Sequence, residues 1–223
     1  MKLTVIECYK YVQERLNKLS TNFGDNIAKH SFVLAFNSAQ LQWAEERIKL
    51  DESNAVRKDE IQQLLNSVDI IPTKAGSNYY EVLLPENYFH YKRSTSYVPC
   101  EIRNIIKKEG DINVLLRDDF WKPSISWGET ICTLINNKLR IYTDNTNDFS
   151  IDKINLVYYR YPSTINMSDG FNDLNGNPTI DINPEFDGSS LLEILNETCL
   201  LLAGDTKDEM SYQIMQQRTQ KYT

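Results

Sequence analysis

Apolar positions near the amino terminus recur at helical spacing. Val5, Tyr9, Val12, Leu16 and Leu19 step by four and three, which is one stripe of an amphipathic helix. "TNFGDN" breaks the pattern. A second helix is expected over about 26–50. Phe32, Phe36, Ala39 and Trp43 form one stripe there, and Leu34, Leu41, Ala44 and Ile48 form another beside it. So wide an apolar face suits a helix packed between neighbours. Ile61, Leu64, Leu65 and Val68 predict a third, shorter helix near 56–67.

The period then changes. "NYYEVLLPENYF" (78–89) reads as a strand stopped by Pro85. "SYVPCEIRNIIKKEGDINVLLRDDF" (96–120) reads as two extended segments around Glu109-Gly110-Asp111. "ETICTLINNKLRIYTD" (129–144) predicts a hairpin turning at Asn136-Asn137, because Asn tolerates positive φ. "DKINLVYYRYPSTI" (152–165) is a strand with an unusual feature. Pleating puts Ile154, Leu156, Tyr158 and Arg160 on one face and Asn155, Val157, Tyr159 and Tyr161 on the other. Neither face is purely polar, so something must cover both.

The end is helical again. Ser190-Leu191-Leu192-Glu193 fits a capping box, and Leu191, Leu192, Leu195, Cys199 and Leu202 make an apolar stripe ending near Gly204. Thr206-Lys207-Asp208-Glu209 fits the capping pattern again. The glutamine-rich tail behind it offers little apolar surface beyond Met210 and Ile214. The expected architecture is α+β. Residues 1–70 and 188–223 form a helical bundle, residues 78–165 an inserted antiparallel β region, and residues 166–187 an irregular connecting loop.

Charge and composition narrow the chemistry. The formal net charge is −7, which disfavours a sequence-independent grip on phosphates. No apolar run is long enough to span a bilayer, and the first twenty residues lack the apolar core of a secretory signal. Four scattered cysteines, Cys8, Cys100, Cys132 and Cys199, suit free thiols in a reducing compartment. Two histidines, His30 and His90, have no neighbouring pattern of ligands or triad partners. GxSxG, HExxH, Walker and GxGxxG patterns are all absent.

Three candidate sites remain. Asp173, Asn175 and Asn177 occupy the first ligand positions of an EF-hand loop. Pro178 and Pro184 stand where the turn glycine and bidentate Glu belong, so an Asx-rich turn is expected and no metal. Asp181, Glu185 and Asp187 are close in sequence and could serve an acidic-site hydrolase. They also precede a helix, where negative charge is favourable anyway. Lys92 and Arg93, among Tyr88, Phe89, Tyr91 and Tyr97, resemble locally a nucleic-acid-binding module. What is left is surface: Trp121, Trp127, Tyr158, Tyr159 and Tyr161 are residue types that protein contacts concentrate.

The order of elements resembles the head-to-tail adaptor proteins of tailed bacteriophages, of the tail tubular protein A type or the crAss-like phage ring-protein type. In that family a strand of the form aliphatic–x–Tyr–x–x–x–Pro closes the β region, matched here by Leu156, Tyr158 and Pro162. Pro184 and Glu185, the helix over 191–203 and Asp205 match the following stretch, and "VLLPENYFH" (82–90) is similar to a Leu-Pro-x-x-Tyr stretch of such ring proteins. The resemblance implies a non-enzymatic virion protein, made in the host cytoplasm, with no catalytic, cofactor or metal residues. Its partners would be copies of itself in a ring, usually of about twelve, the portal protein, other tail or ring proteins, and DNA passing through without specific binding. No membrane is involved. Tyr159, Tyr161, Met210 and Ile214 are the expected interface residues.

Overall fold

A computed structural model describes residues 2–19, 27–52, 60–144, 149–168 and 179–205. The chain divides into two units. One comprises residues 1–63 and 162–223, and the other residues 64–161.

The first unit carries α1 (Val5–Leu19), α2 (Lys29–Glu52) and α4 (Gly188–Asp205). Thr4 caps α1. Its backbone N–H donates to Glu7 Oε2 at 2.7 Å, and the Glu7 N–H donates back to Thr4 Oγ1 at 3.3 Å. This capping box, Thr-Val-Ile-Glu, is as readable in the sequence as the one expected at Ser190. At the latter, α4 starts earlier, at Gly188 with φ +57°. Glu193 Oε2 is taken instead by Trp43 Nε1 at 2.8 Å and Arg47 at 2.6 Å.

Helix α4 packs against both α1 and α2. Phe32, Phe36, Ala39, Ile194, Leu195 and Cys199 are buried. Trp43 meets Phe186 at 4.9 Å between ring centroids. The connecting stretch after residue 162 is irregular but tied down. Asn37 accepts from the Ile165 N–H at 2.9 Å and donates to its carbonyl at 3.2 Å, and Gln40 donates to the Ser163 carbonyl at 3.0 Å.

The second unit is an eight-stranded curled sheet, ordered β1-β8-β4-β5-β6-β7-β3-β2. Its strands are β1 (Leu65–Ile70), β2 (Thr73–Lys74), β3 (Tyr79–Leu83), β4 (Tyr88–Tyr97), β5 (Glu101–Ile106), β6 (Glu129–Ile135), β7 (Lys138–Tyr142) and β8 (Lys153–Arg160). All neighbouring pairs are antiparallel except β5 and β6, which run parallel. One face gathers Val82, Ile102, Cys132, Leu139, Ile141, Ile154, Leu156 and Tyr158 into a core. A bulge in β4 at Tyr88/His90 turns Tyr88 and Tyr91 to that same face, and a second at Tyr91/Arg93 brings Ser94 there too. A regular strand would send residues three apart to opposite sides.

The expected bundle of terminal helices with an antiparallel insertion is therefore corrected. The dominant element is a large mixed sheet, and among the described residues four helices accompany it. The predicted helix near 56–67 is replaced, over its described part, by a short 3₁₀ turn (Gln62–Leu64) and edge strand β1. Ile61 and Leu64 are buried, but Val68 and Ile70 pack onto the sheet core in alternation, a period of two. Of the two extended segments expected over 96–120, only β5 is a strand. Residues 109–115 are helical, a 3₁₀ turn running into α3 (Ile112–Leu115), because a parallel partner requires a crossover where a hairpin turn would serve antiparallel strands. The hairpin at Asn136-Asn137 forms as read, with φ values of +48° and +58°.

Candidate functional site

The crossover from β5 to β6, residues 107–128, is the most distinctive surface of the sheet unit. It connects two central strands, so it cannot be a tight turn and must travel outside the sheet. Ile112, with Leu115 and Leu116, anchors it against Ile131 and Tyr142. Asp118 organises the next turn. Its carboxylate accepts from the Phe120 N–H at 2.9 Å and its carbonyl from the Lys122 N–H at 2.9 Å. Ser124 bridges to Glu129, returning the chain to β6.

These ties fix the backbone while leaving large apolar side chains outside. Phe120 is 77 % exposed and Trp127 57 %, and Val114 and Trp121 are exposed with them. Lys107 lies 4.4 Å from the centroid of the Trp121 ring. Next to it a groove of about 410 Å³ is lined by Ile106, Lys107, Lys108, Glu109, Thr133 and Leu134. Scattered single apolar residues on a surface mean little, whereas here several, two of them tryptophans, share one crossover.

Among the described residues, the most polar part of the sheet's interior is a small hydrogen-bonded network. Asn104 sits opposite Ser94 and donates to its hydroxyl at 2.9 Å, while Ser96 donates to Asn104 Oδ1 at 2.8 Å. Tyr91 joins the same network through Ser94 at 3.0 Å, with Cys132 Sγ at 3.8 Å. Burial raises the Tyr91 phenol, and it pushes the Cys132 thiol up to about 11, so both are neutral at ordinary pH. The group is a satisfied core network and holds no ready nucleophile. Burial likewise pushes Cys8 and Cys199 up to about 12. Among the described residues, no three His, Cys, Asp or Glu side chains gather as metal ligands, and no helix is long and apolar enough to cross a membrane.

The candidate residues from the sequence fall as follows. Tyr159 is 3 % exposed, whereas Tyr161 is 49 % exposed and pairs with Phe89 at 4.6 Å between centroids. Only the second presents area to a partner. Met210 and Ile214 lie outside the described residues, as do Asp173, Asn175, Asn177 and Pro178. Asp181 accepts from the N–H and hydroxyl of Ser168, and Glu185 from those of Ser163, so both clamp their own connecting stretch. The Ser168 N–H in particular holds the Asp181 carboxyl below its ordinary value. Lys92 and Arg93 are exposed on β4, with Lys92 5.6 Å from the Tyr159 ring centroid. His30 is exposed at the start of α2, and His90 sits on β4 opposite Tyr159.

Trp121 and Trp127 were visible in the sequence as contact-prone types. Phe120 and Val114 were not, because in the sequence they fall within a stretch whose pattern predicts an extended segment. No known protein family matches this chain, and no curated protein matches it.

Proposed function

We propose that this protein is a structural subunit of the connector between portal and tail in a tailed bacteriophage. Copies of it form a ring through which DNA passes, and it works by binding, with no catalysed reaction. The observation that carries this reading is the crossover over 107–128. Its backbone is braced by Asp118 and Ser124, yet it holds Val114, Phe120, Trp121 and Trp127 in solvent. A rigid loop that displays aromatics has prepaid much of the ordering cost of association. Support also comes from the resemblance at Leu156, Tyr158 and Pro162, where β8 closes the β region and Pro162 begins the return to the helical unit.

In this reading each subunit offers modest contacts that act together around the ring. The net negative charge suits a wall along which DNA must slide without sticking. Co-expression with the portal protein of the same genome, followed by imaging, tests it. Stacked rings containing both chains are expected. Portal rings that purify without this chain, under conditions where both are folded, would overturn the reading.

A further inference from the structure

Strands β5 and β6 part before β6 ends. Their last parallel pair is Ile106 with Cys132, yet β6 stays paired to β7 as far as Ile135. The carbonyls of Gly128 and Cys132 accept from the N–H groups of Arg103 and Lys107, both at 2.9 Å. Alternate residues of β6 therefore turn their backbone groups toward β5, and the next in that series is Leu134. The rung that would follow, from the Leu134 N–H to the Lys107 carbonyl, is not made. The chain turns away at Lys108 into the 3₁₀ turn Glu109–Asp111. The groove beside Lys107 lies in this fork. Among the described residues, neither the N–H and carbonyl of Leu134 nor the carbonyl of Lys107 takes a backbone partner there.

These groups ask for a particular occupant. An extended chain is the ligand whose single residue offers both an acceptor to the Leu134 N–H and a donor to its carbonyl. The side chains add a pattern. Ile106 and Leu134 are 43 % and 37 % exposed and share the face of Cys132. A residue paired with Leu134 sets its side chain on that same face, so an apolar one fits. Its neighbours turn to the opposite face, where Lys107 lies. With Lys108 exposed, two cations outnumber Glu109 along the groove, although the whole chain carries a net charge of −7. Acidic neighbours are favoured.

We propose that the fork takes an extended segment of a partner protein, an apolar residue flanked by acidic ones. It pairs antiparallel with Leu134 and finishes the ladder that β5 leaves. The proposal rests on the fork and not on the connector reading. A chain that takes such a segment but never joins portal rings would sink the reading and keep the fork, and the reverse result would do the opposite.

The test is titration of the full chain, labelled with ¹⁵N-leucine, against the blocked peptide acetyl-Thr-Asp-Val-Asp-Thr-amide. The Leu134 amide is assigned with the variant Leu134→Met. Saturable movement of that signal at millimolar peptide is expected, with the leucines of the helices unmoved. Methylating the valine nitrogen removes the donor to the Leu134 carbonyl and should weaken binding roughly tenfold. Lys108→Glu changes an exposed side chain and should weaken it about threefold, with acetyl-Thr-Lys-Val-Lys-Thr-amide then preferred. A Leu134 signal that no peptide moves overturns the proposal. So does equal binding of the methylated peptide, or an unchanged preference in Lys108→Glu while circular dichroism reports the native fold. A Leu134 signal that moves with protein concentration alone would put a second copy in the fork and overturn it too.

Discussion

The Lys107 ammonium rests 4.4 Å from the centroid of the Trp121 ring, at the point where the chain leaves strand β5 for its crossover. The contact joins the root of the crossover to its aromatic tip and helps to hold an apolar side chain in solvent. Cation–π contacts at exposed sites are worth about 0.5–1 kcal/mol, enough to bias an orientation but not to bury a ring.

The exposed aromatics of the crossover, unlike its anchor Ile112, should therefore be dispensable for folding and necessary for assembly. Phe120→Ala and Trp127→Ala remove side chains that touch mainly water, so each should change unfolding free energy by only about 0.5 kcal/mol or less. Together they should abolish recovery of the chain with portal rings. Chemical denaturation and co-purification read the two effects separately. Loss of stability without loss of assembly would place these side chains in the fold and not in a contact.

The buried network of Ser94, Asn104 and Ser96 should behave in the opposite way. Asn104→Ala removes the acceptor of the buried Ser96 hydroxyl and one of the two partners of Ser94, and opens a small cavity, at a cost of about 2–4 kcal/mol. Urea unfolding of the single variant measures this. A change within error of zero would mean that water reaches the network.

Two carboxylates set opposite trends with pH. Burial, and then the neighbouring charge of Glu46, raises the Glu197 carboxyl above its ordinary value. A raised acid favours the folded state most below its unfolded value, and that contribution is lost as pH rises through the folded one. Glu197→Gln should thus raise the melting temperature at pH 7, with the difference vanishing in acid. Glu81 is lowered, first by Lys138 and then by Arg140, which reach it at 2.8 Å each. Its contribution is present above the unfolded value and lost as pH falls through the folded one. Glu81→Gln should lower the melting temperature at pH 7 and converge on wild type in acid. Thermal melts across pH decide both signs.

Thiol reactivity should single out one of the four cysteines. Cys100 is exposed in the turn between β4 and β5, while Cys8, Cys132 and Cys199 are buried with raised values. A disulfide reagent under native conditions should label one equivalent fast, and Cys100→Ser should remove that phase. A second fast equivalent would show that a helix or the sheet opens more readily than its burial implies.

Whatever depends on near neighbours was legible in the sequence. Apolar spacing placed α1 and α2, and Asn136-Asn137 announced a turn needing positive φ. The alternation in β8 predicted two occupied faces. Both are indeed filled along its second half, where Tyr158 and Tyr159 are each buried. Tyr158 is also held by Asn66 and Asn87 and stacked on Tyr88. Trp121 and Trp127 could be named as contact-prone from type alone, and both are exposed.

Tertiary structure decided the rest, because the competing local states were close in energy and distant partners chose between them. Leu64, Leu65 and Val68 suit a helix as well as a strand until β8 offers six residues of ladder at once. Residues 112–115 become helical because β5 and β6 align in parallel, and a parallel step obliges the chain to leave the sheet before it returns. That same obligation puts Phe120 and the two tryptophans into solvent. No spacing along the chain encodes it, since it follows from which strands meet.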